Sequence, residues 1–242
     1  MKFISLNIER DWHYARVFPF IERERPLVAC LLEVLDSDVA RFESALGAKA
    51  VYTSVAVADK GRGTEVLGKK GIQTGHGIFS ALPIVESGVL NYCGCPDGAP
   101  ILPESGHGHK TLVWAKVRDG SVPYTITLTH FTWTLHGEVT DEQRTHLAAL
   151  LKLLERFPDT VLAGDFNAPR GREIWDTLAM KYRDNIPKEH TTSLDQNLHA
   201  TPGLQYVVDG LFSTPEYVCE DTTLVCDVSD HCAVVSSVRR FH

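Results

Sequence analysis

Apolar runs that stop on a polar residue recur along this chain. Lys2 to Ile8 sets Phe3, Ile4 and Leu6 between Lys2 and Asn7, which predicts a strand ending on an amide. Leu27 to Val34 is almost continuously apolar up to Glu33, the pattern of a strand covered on both faces. Lys49 to Ala58, Gly77 to Ala81, Val85 to Tyr92, Thr111 to Val117 and Tyr124 to Phe131 alternate or carry β-branched residues and read as further strands. Thr160 to Gly164 runs straight into Asp165. Gln205 to Phe212, Tyr217 to Val225 and Cys232 to Val238 close the chain as strands.

Between these runs the spacing becomes helical. Trp12 to Glu24 reads as a helix in which Pro19 is either a kink or the true start. Val39, Phe42 and Leu46 share one side of a short helix that Asp36 or Ser37 can cap and Gly47 ends. Thr140-Asp141-Glu142-Gln143 fits a capping box and opens a helix to about Arg156, with Leu147, Leu150, Leu151 and Leu154 as its core stripe. Arg172 to Lys181 is a shorter helix. Lys60 to Gly77 reads as a loop whose Lys60, Arg62, Lys69 and Lys70 are close enough in sequence to meet a phosphate, although a solvated loop is the simpler reading. Lys188 to Leu204 is polar and irregular.

This alternation is an α/β pattern. With no Ser/Gly-rich linker, charge block or short repeat, residues 1–242 are expected to form a single domain. The formal net charge is −7, which argues against a strongly basic nucleic-acid platform but leaves room for a nuclease, since a carboxylate-rich site is acidic by construction. No apolar run approaches the length of a membrane span, and the N-terminal apolar stretch is too short for a signal peptide. Of the six cysteines, Cys30, Cys226 and Cys232 lie in strand-like apolar contexts that suit buried free thiols. Cys93-Gly94-Cys95 lacks the second half of a zinc pattern, and a reducing cytoplasm is the expected compartment.

The candidate chemistry sits where strands stop. Asn7, Glu33, His130 and Asp165 each end an apolar run, while Asp209 and Asp230-His231 lie in or beside late strands. A polar residue at one strand end is ordinary turn chemistry, but six repetitions of that arrangement are hard to attribute to chance. Asp165 and Asn167 are two apart, so at a strand end they point to the same side. Asp209, flanked by apolar residues, needs a partner. A carboxylate, an amide and a His–Asp pair are what hydrolysis of a phosphate ester on a divalent metal requires. The other histidines (His13, His76, His107, His109, His136, His190, His199 and His242) read as structural. Trp12, Trp114, Trp133 and Trp175 read mostly as core, with Trp133 best placed to line a substrate groove.

The chain resembles the endonuclease/exonuclease/phosphatase superfamily, the deoxyribonuclease-I-like proteins. The likeness runs in order through Ser5-Leu6-Asn7-Ile8-Glu9, Leu31-Leu32-Glu33-Val34, Gly77-Ile78-Phe79-Ser80 with Pro83-Ile84, and Thr129-His130-Phe131. It continues through Gly164-Asp165-Phe166-Asn167, Val208-Asp209-Gly210-Leu211 and Ser229-Asp230-His231. Gly-Asp-Phe-Asn and Ser-Asp-His are its specific elements. The resemblance implies a four-layer α/β sandwich, two face-to-face β-sheets flanked by helices, with the site at one rim. It implies Mg²⁺ or Mn²⁺ held by Glu33, with Asn7 orienting that ligand and touching the phosphate. Glu9 stands where many members have Asp, and Leu32 where the family more often has Gln. Asp230 would be a metal ligand or a carboxylate behind one. Asp165 would orient or deprotonate water and Asn167 would bind the phosphate. Asp209 would pair with His231, which would stabilise the pentavalent state or act as base, and His130 would donate to the phosphate or protonate the leaving group. The function expected is a metal-dependent phosphodiesterase acting on nucleic acid. A phosphatase or phospholipase-type hydrolase of inositol or lipid phosphates is the second reading, and a non-catalytic binding module on the same scaffold the third.

Overall fold

The computed structural model describes residues 1–58, 72–94, 102–103 and 109–241. Lys60, Arg62, Lys69, Lys70, Cys95, His107 and His242, singled out above, lie outside them. In chain order the strands are β1 (Lys2–Asn7), β2 (Val28–Leu35), β3 (Lys49–Ala58), β4 (Ile72–Ser80), β5 (Ile84–Cys93), β6 (Leu102–Pro103) and β7 (Lys110–Asp119). They continue with β8 (Val122–His130), β9 (Val161–Asp165), β10 (Arg183–Asp184), β11 (Asp209–Ser213), β12 (Tyr217–Val225) and β13 (Ala233–Arg240). The helices are α1 (Tyr14–Glu24), α2 (Val39–Leu46), α3 (Asp141–Leu154) and α4 (Glu173–Lys181). A seven-stranded sheet has the order β12-β13-β1-β2-β4-β3-β6, and a six-stranded sheet the order β10-β11-β9-β8-β7-β5.

Period-two alternation explains the layers. Phe3, Val28, Cys30 and Leu32 point into one core with Ile126, Leu128 and Leu162 of the other sheet. Their neighbours Ile4, Leu6, Ala29, Leu31 and Val34 turn the other way and bury Val17, Phe20 and Ile21 of α1 and Phe42 of α2. Leu147, Leu150 and Leu154 of α3 and Ile174, Trp175 and Leu178 of α4 join the first core. The result is the expected four-layer sandwich of two face-to-face sheets flanked by helices.

Several local expectations need correction. Ile72 to Gly77 belongs to β4 rather than to a loop, because Thr74, Gly75 and Gly77 pair with both β2 and β3. β11 begins only at Asp209, the residue opposite the end of β9. Pro19 sits inside α1. Thr140 caps α3 through the Gln143 amide, but the Gln143 side chain donates to the Thr132 carbonyl instead of closing the box. Cys226 and Cys232 are not free thiols. They form a disulfide across a separation of six residues. Val225 and Ala233 are cross-strand partners in the β12–β13 hairpin, so the two cysteines are the next facing pair. That bond withdraws the support that unpaired thiols would have lent to a reducing compartment. Cys30 is buried and free, as expected. Among the described residues, no helix is long and apolar enough to cross a membrane.

Candidate active site

Strand register assembles one wall of the site. His130 and Asp165 are paired positions of the parallel strands β8 and β9, and Asp209 is the partner of Asp165 across β11. Three polar residues thus stand in one row at one edge of the six-stranded sheet. Gly164 makes the row possible. Its φ is 152°, and a Cβ there would sit 1.9 Å from the Thr129 carbonyl oxygen. Asp165 then accepts the Asn167 backbone amide at 2.8 Å, with Asn167 in the left-handed region at φ 49°.

The facing sheet supplies the other wall. Asn7 ends β1, and Glu33 occupies a register irregularity between Leu31 and Val34 with φ 58°. A bulge re-aims the side chain it carries, here toward Asn7. The Asn7 amide nitrogen lies 3.1 Å from Glu33 Oε1 and 3.3 Å from Asp165 Oδ2, so one side chain joins carboxylates from the two sheets. Asn7 Oδ1 accepts the Glu9 backbone amide at 3.2 Å.

Charge is arranged tightly around Asp165. Its Oδ2 lies 3.5 Å from His130 Nε2 and 3.8 Å from His231 Nε2. Burial alone would raise its pKa, yet His231 and His130 hold the carboxyl well below the usual range. His231 Nδ1 is 2.8 Å from Asp209 Oδ2. Burial opposes protonation of His231, but the carboxylates of Asp209, Asp230 and Asp165 outweigh it and raise its pKa well above 6.5. Asp230 is pushed up to about 6 by burial, opposed by His231 and reinforced by Glu9 and Glu33. The carboxylates of Glu9, Glu33 and Asp230 therefore crowd one another. Oxygen donors carrying surplus negative charge are the chemistry that fits a hard divalent cation such as Mg²⁺ or Mn²⁺.

Three neighbours are not among the expected site residues. Ser193 donates to Asp209 Oδ2 at 2.7 Å and accepts the Val208 and Asp209 amides, which fixes the acid behind His231. Lys110 Nζ and Asn167 Nδ2 both reach the Phe131 carbonyl, at 3.3 and 3.2 Å, so the lysine stands beside the amide. His76, set aside as structural, is buried with Nε2 2.7 Å from Thr111 Oγ1, and burial together with His130 and Lys110 pushes it down to about 3. The sequence signals are a serine in an irregular polar segment, a histidine within the expected Lys60–Gly77 loop, and Lys110 at the end of the run His107-Gly108-His109-Lys110, which could add a phosphate contact.

A cavity of about 670 Å³ opens between the walls, and Asn7, Glu33, His130, Asp165, Asn167 and His231 line it. Trp133, Lys110 and His76 line it too, as do His109, His136 and His199. Trp133 is exposed at the side of the cavity. Glu9 and Asp230 are outside the lining and meet each other beside His13. Trp175 is core, and Trp114 packs on Phe157.

A family model described as the endonuclease/exonuclease/phosphatase family matches residues 4–231. Solved structures share the fold across almost the whole chain. An endonuclease/exonuclease/phosphatase from Bacteroides vulgatus is 17% identical over 99% of this chain and 98% of its own, with a TM-score of 0.72. A mannosyl-6-phosphatase from Bacteroides thetaiotaomicron is 14% identical over 99% of each chain, with a TM-score of 0.68. TDP2 from D. rerio, complexed with a single-strand DNA product, is 14% identical over 99% of this chain and 98% of its own, also at 0.68. At these identities the likeness is one of fold. No curated protein matches the chain in sequence.

Proposed function

Since the chain belongs to the endonuclease/exonuclease/phosphatase family, whose members hydrolyse phosphate esters, we propose that it is a divalent-metal-dependent phosphodiesterase, a single domain over residues 1–242 that cleaves DNA or RNA. The observation that carries this reading is the row Asp209, Asp165, His130 tied through the Asn7 amide to Glu33 of the facing sheet. A divalent cation held by Glu33, with Asn7, Glu9 and Asp230 around it, would neutralise the phosphate and steady the leaving oxygen.

The remaining roles follow from charge. Asp165 stays ionised between two histidines, so it orients the attacking water and accepts its proton as the water oxygen bonds to phosphorus. His231, kept cationic by Asp209, donates to a phosphate oxygen where negative charge grows as the water oxygen bonds to phosphorus. Asn167 and Lys110 donate from the Phe131 side. His130 hands a proton to the leaving oxygen as the ester P–O bond breaks. Trp133 offers an exposed face for a base to stack on.

Cavity size limits the substrate. About 670 Å³ suits one small ligand or the end of a strand better than a length of duplex. The net charge of −7 agrees, since long-duplex binding draws on many cationic phosphate contacts. The same size favours, as the second reading, a phosphatase or phospholipase-type hydrolase of inositol or lipid phosphates. A non-catalytic module is the weakest reading, because every polar member of the row is in place. Turnover of an aryl phosphodiester with Mn²⁺ and with chelator tests the proposal. Chelator-sensitive hydrolysis that Glu33→Gln abolishes is expected. Absence of metal-dependent turnover on that ester, single-stranded DNA, duplex DNA, RNA, inositol phosphates and sphingomyelin would leave only the binding module.

A further inference from the structure

We propose that His13 is a metal ligand, and that with Glu9 and Asp230 it forms a mixed nitrogen–oxygen site that prefers a divalent transition-metal ion over Mg²⁺. This deepens the reading above, in which Glu9 and Asp230 face a divalent cation.

One ligand atom from each of Glu9, His13 and Asp230 lies within 4.8 Å of the other two. His13 Nε2 is 2.8 Å from Glu9 Oε2. Two donors bonded to one ion at about 2.1 Å stand roughly 3 Å apart when cis and about 4.2 Å when trans, so Glu9 and His13 have the spacing of cis ligands and an Asp230 oxygen is near enough to close on the same ion. His13 is buried and Glu9 is 14% exposed at its side chain, which keeps most competing water away.

Local structure builds this cluster from sequence positions that carry no metal-ligand spacing of their own. After β1 the chain turns through two left-handed residues, Glu9 at φ 46° and Arg10 at φ 60°. His13 follows as the residue before α1, where its carbonyl accepts the Arg16 and Val17 amides. Glu9 and His13 are thereby locked four apart on one side of the turn. Asp230 arrives from the other end of the chain, its backbone carbonyl bound by the Asp195 amide at 2.8 Å and its Oδ1 by Ser229 Oγ at 3.0 Å.

Imidazole changes which ion is preferred. Mg²⁺ is hard, keeps its waters and takes oxygen ligands, whereas imidazole nitrogen raises affinity along the series from Mn²⁺ upward. Glu33 on the neighbouring strand adds a further oxygen donor within electrostatic reach of Asp230. His13 is thus a selectivity residue as well as a ligand. The competing role, a hydrogen-bonding partner that only aims Glu9, predicts no metal–nitrogen bond.

The test is pulsed electron paramagnetic resonance of the full chain with sub-stoichiometric Mn²⁺, which reads directly bonded nitrogen without reference to activity. Wild-type protein should give the modulation of one coordinated imidazole. Labelling histidine with ¹⁵N should change that modulation, and His13→Gln should abolish it. Titration should show His13→Gln weakening Mn²⁺ on the order of 10- to 100-fold with Mg²⁺ nearly unchanged. Mn²⁺ bound without a nitrogen signal in wild type, or with a histidine signal that persists in His13→Gln, overturns the proposal and leaves the phosphodiesterase reading intact. Wild-type protein that binds no Mn²⁺ overturns both. The ¹⁵N comparison shows that the bound nitrogen is a histidine's, and His13→Asn repeats the assignment to His13 if His13→Gln folds poorly.

Discussion

Asp209 Oδ2 and His231 Nδ1 lie 2.8 Å apart, both buried, with the Ser193 hydroxyl on the same carboxylate oxygen. The acid therefore sets both the orientation and the charge of the imidazole.

Asp209→Asn removes the nearest negative charge from a histidine whose folded pKa is raised. The cation that His231 supplies is present below that pKa and lost as pH rises through it, so in the variant it is lost at lower pH. The alkaline limb of the pH–rate profile should move to lower pH, and kcat should fall roughly 100- to 10,000-fold. An unmoved alkaline limb would break the link between this pair and the rate.

Gly164→Ala places a Cβ where the Thr129 carbonyl stands and forces alanine to φ 152°. The β8–β9 pairing that brings His130 to Asp165 would have to open. Chemical unfolding should show a loss of more than about 3 kcal/mol, or no soluble protein. A variant of wild-type stability would mean that the row tolerates a shift the structure forbids.

Much of this was legible beforehand, for a physical reason. A strand that is apolar on both faces and ends on Asn, Glu or Asp announces a sheet edge, so Asn7, Glu33 and Asp165 can be read along the chain, and Asp209 stands out as an acid among apolar neighbours that needs a partner. Ser193 cannot be read this way, because its role depends on an irregular segment folding back beneath β11. His76 falls in a stretch that reads as a loop, and Lys110 precedes an expected strand in a run that could touch phosphate but carries no further signal. The Cys226–Cys232 bond is hidden in the sequence because both residues lie in apolar contexts that suit buried free thiols, and only the hairpin register makes them face each other.

Lys110→Met keeps most of the buried stem and removes the ammonium beside Asn167. Loss of a charged hydrogen bond to phosphate should raise KM on the order of tenfold or more while kcat changes less. A fall in kcat at constant KM would place Lys110 in the chemical step.

His76 is neutral in the folded protein, pushed down from 6.5 to about 3. The unfolded chain binds a proton there at mild acidity and the folded chain does not. The stability this difference confers is present above pH 6.5 and declines as pH falls toward 3. Unfolding free energy measured against pH should fall more steeply for wild type than for His76→Leu across that window. Parallel curves would show that the site admits a proton at His76.

The most direct test of the whole account is a crystal structure with Mn²⁺ and a nucleoside monophosphate. The account predicts an anomalous peak in contact with the Glu33 carboxylate, and a phosphate within hydrogen-bond reach of Asn167 and His231. An ion bound away from Glu33, or a phosphate seated outside the cavity between Asn7 and Asp165, would contradict it.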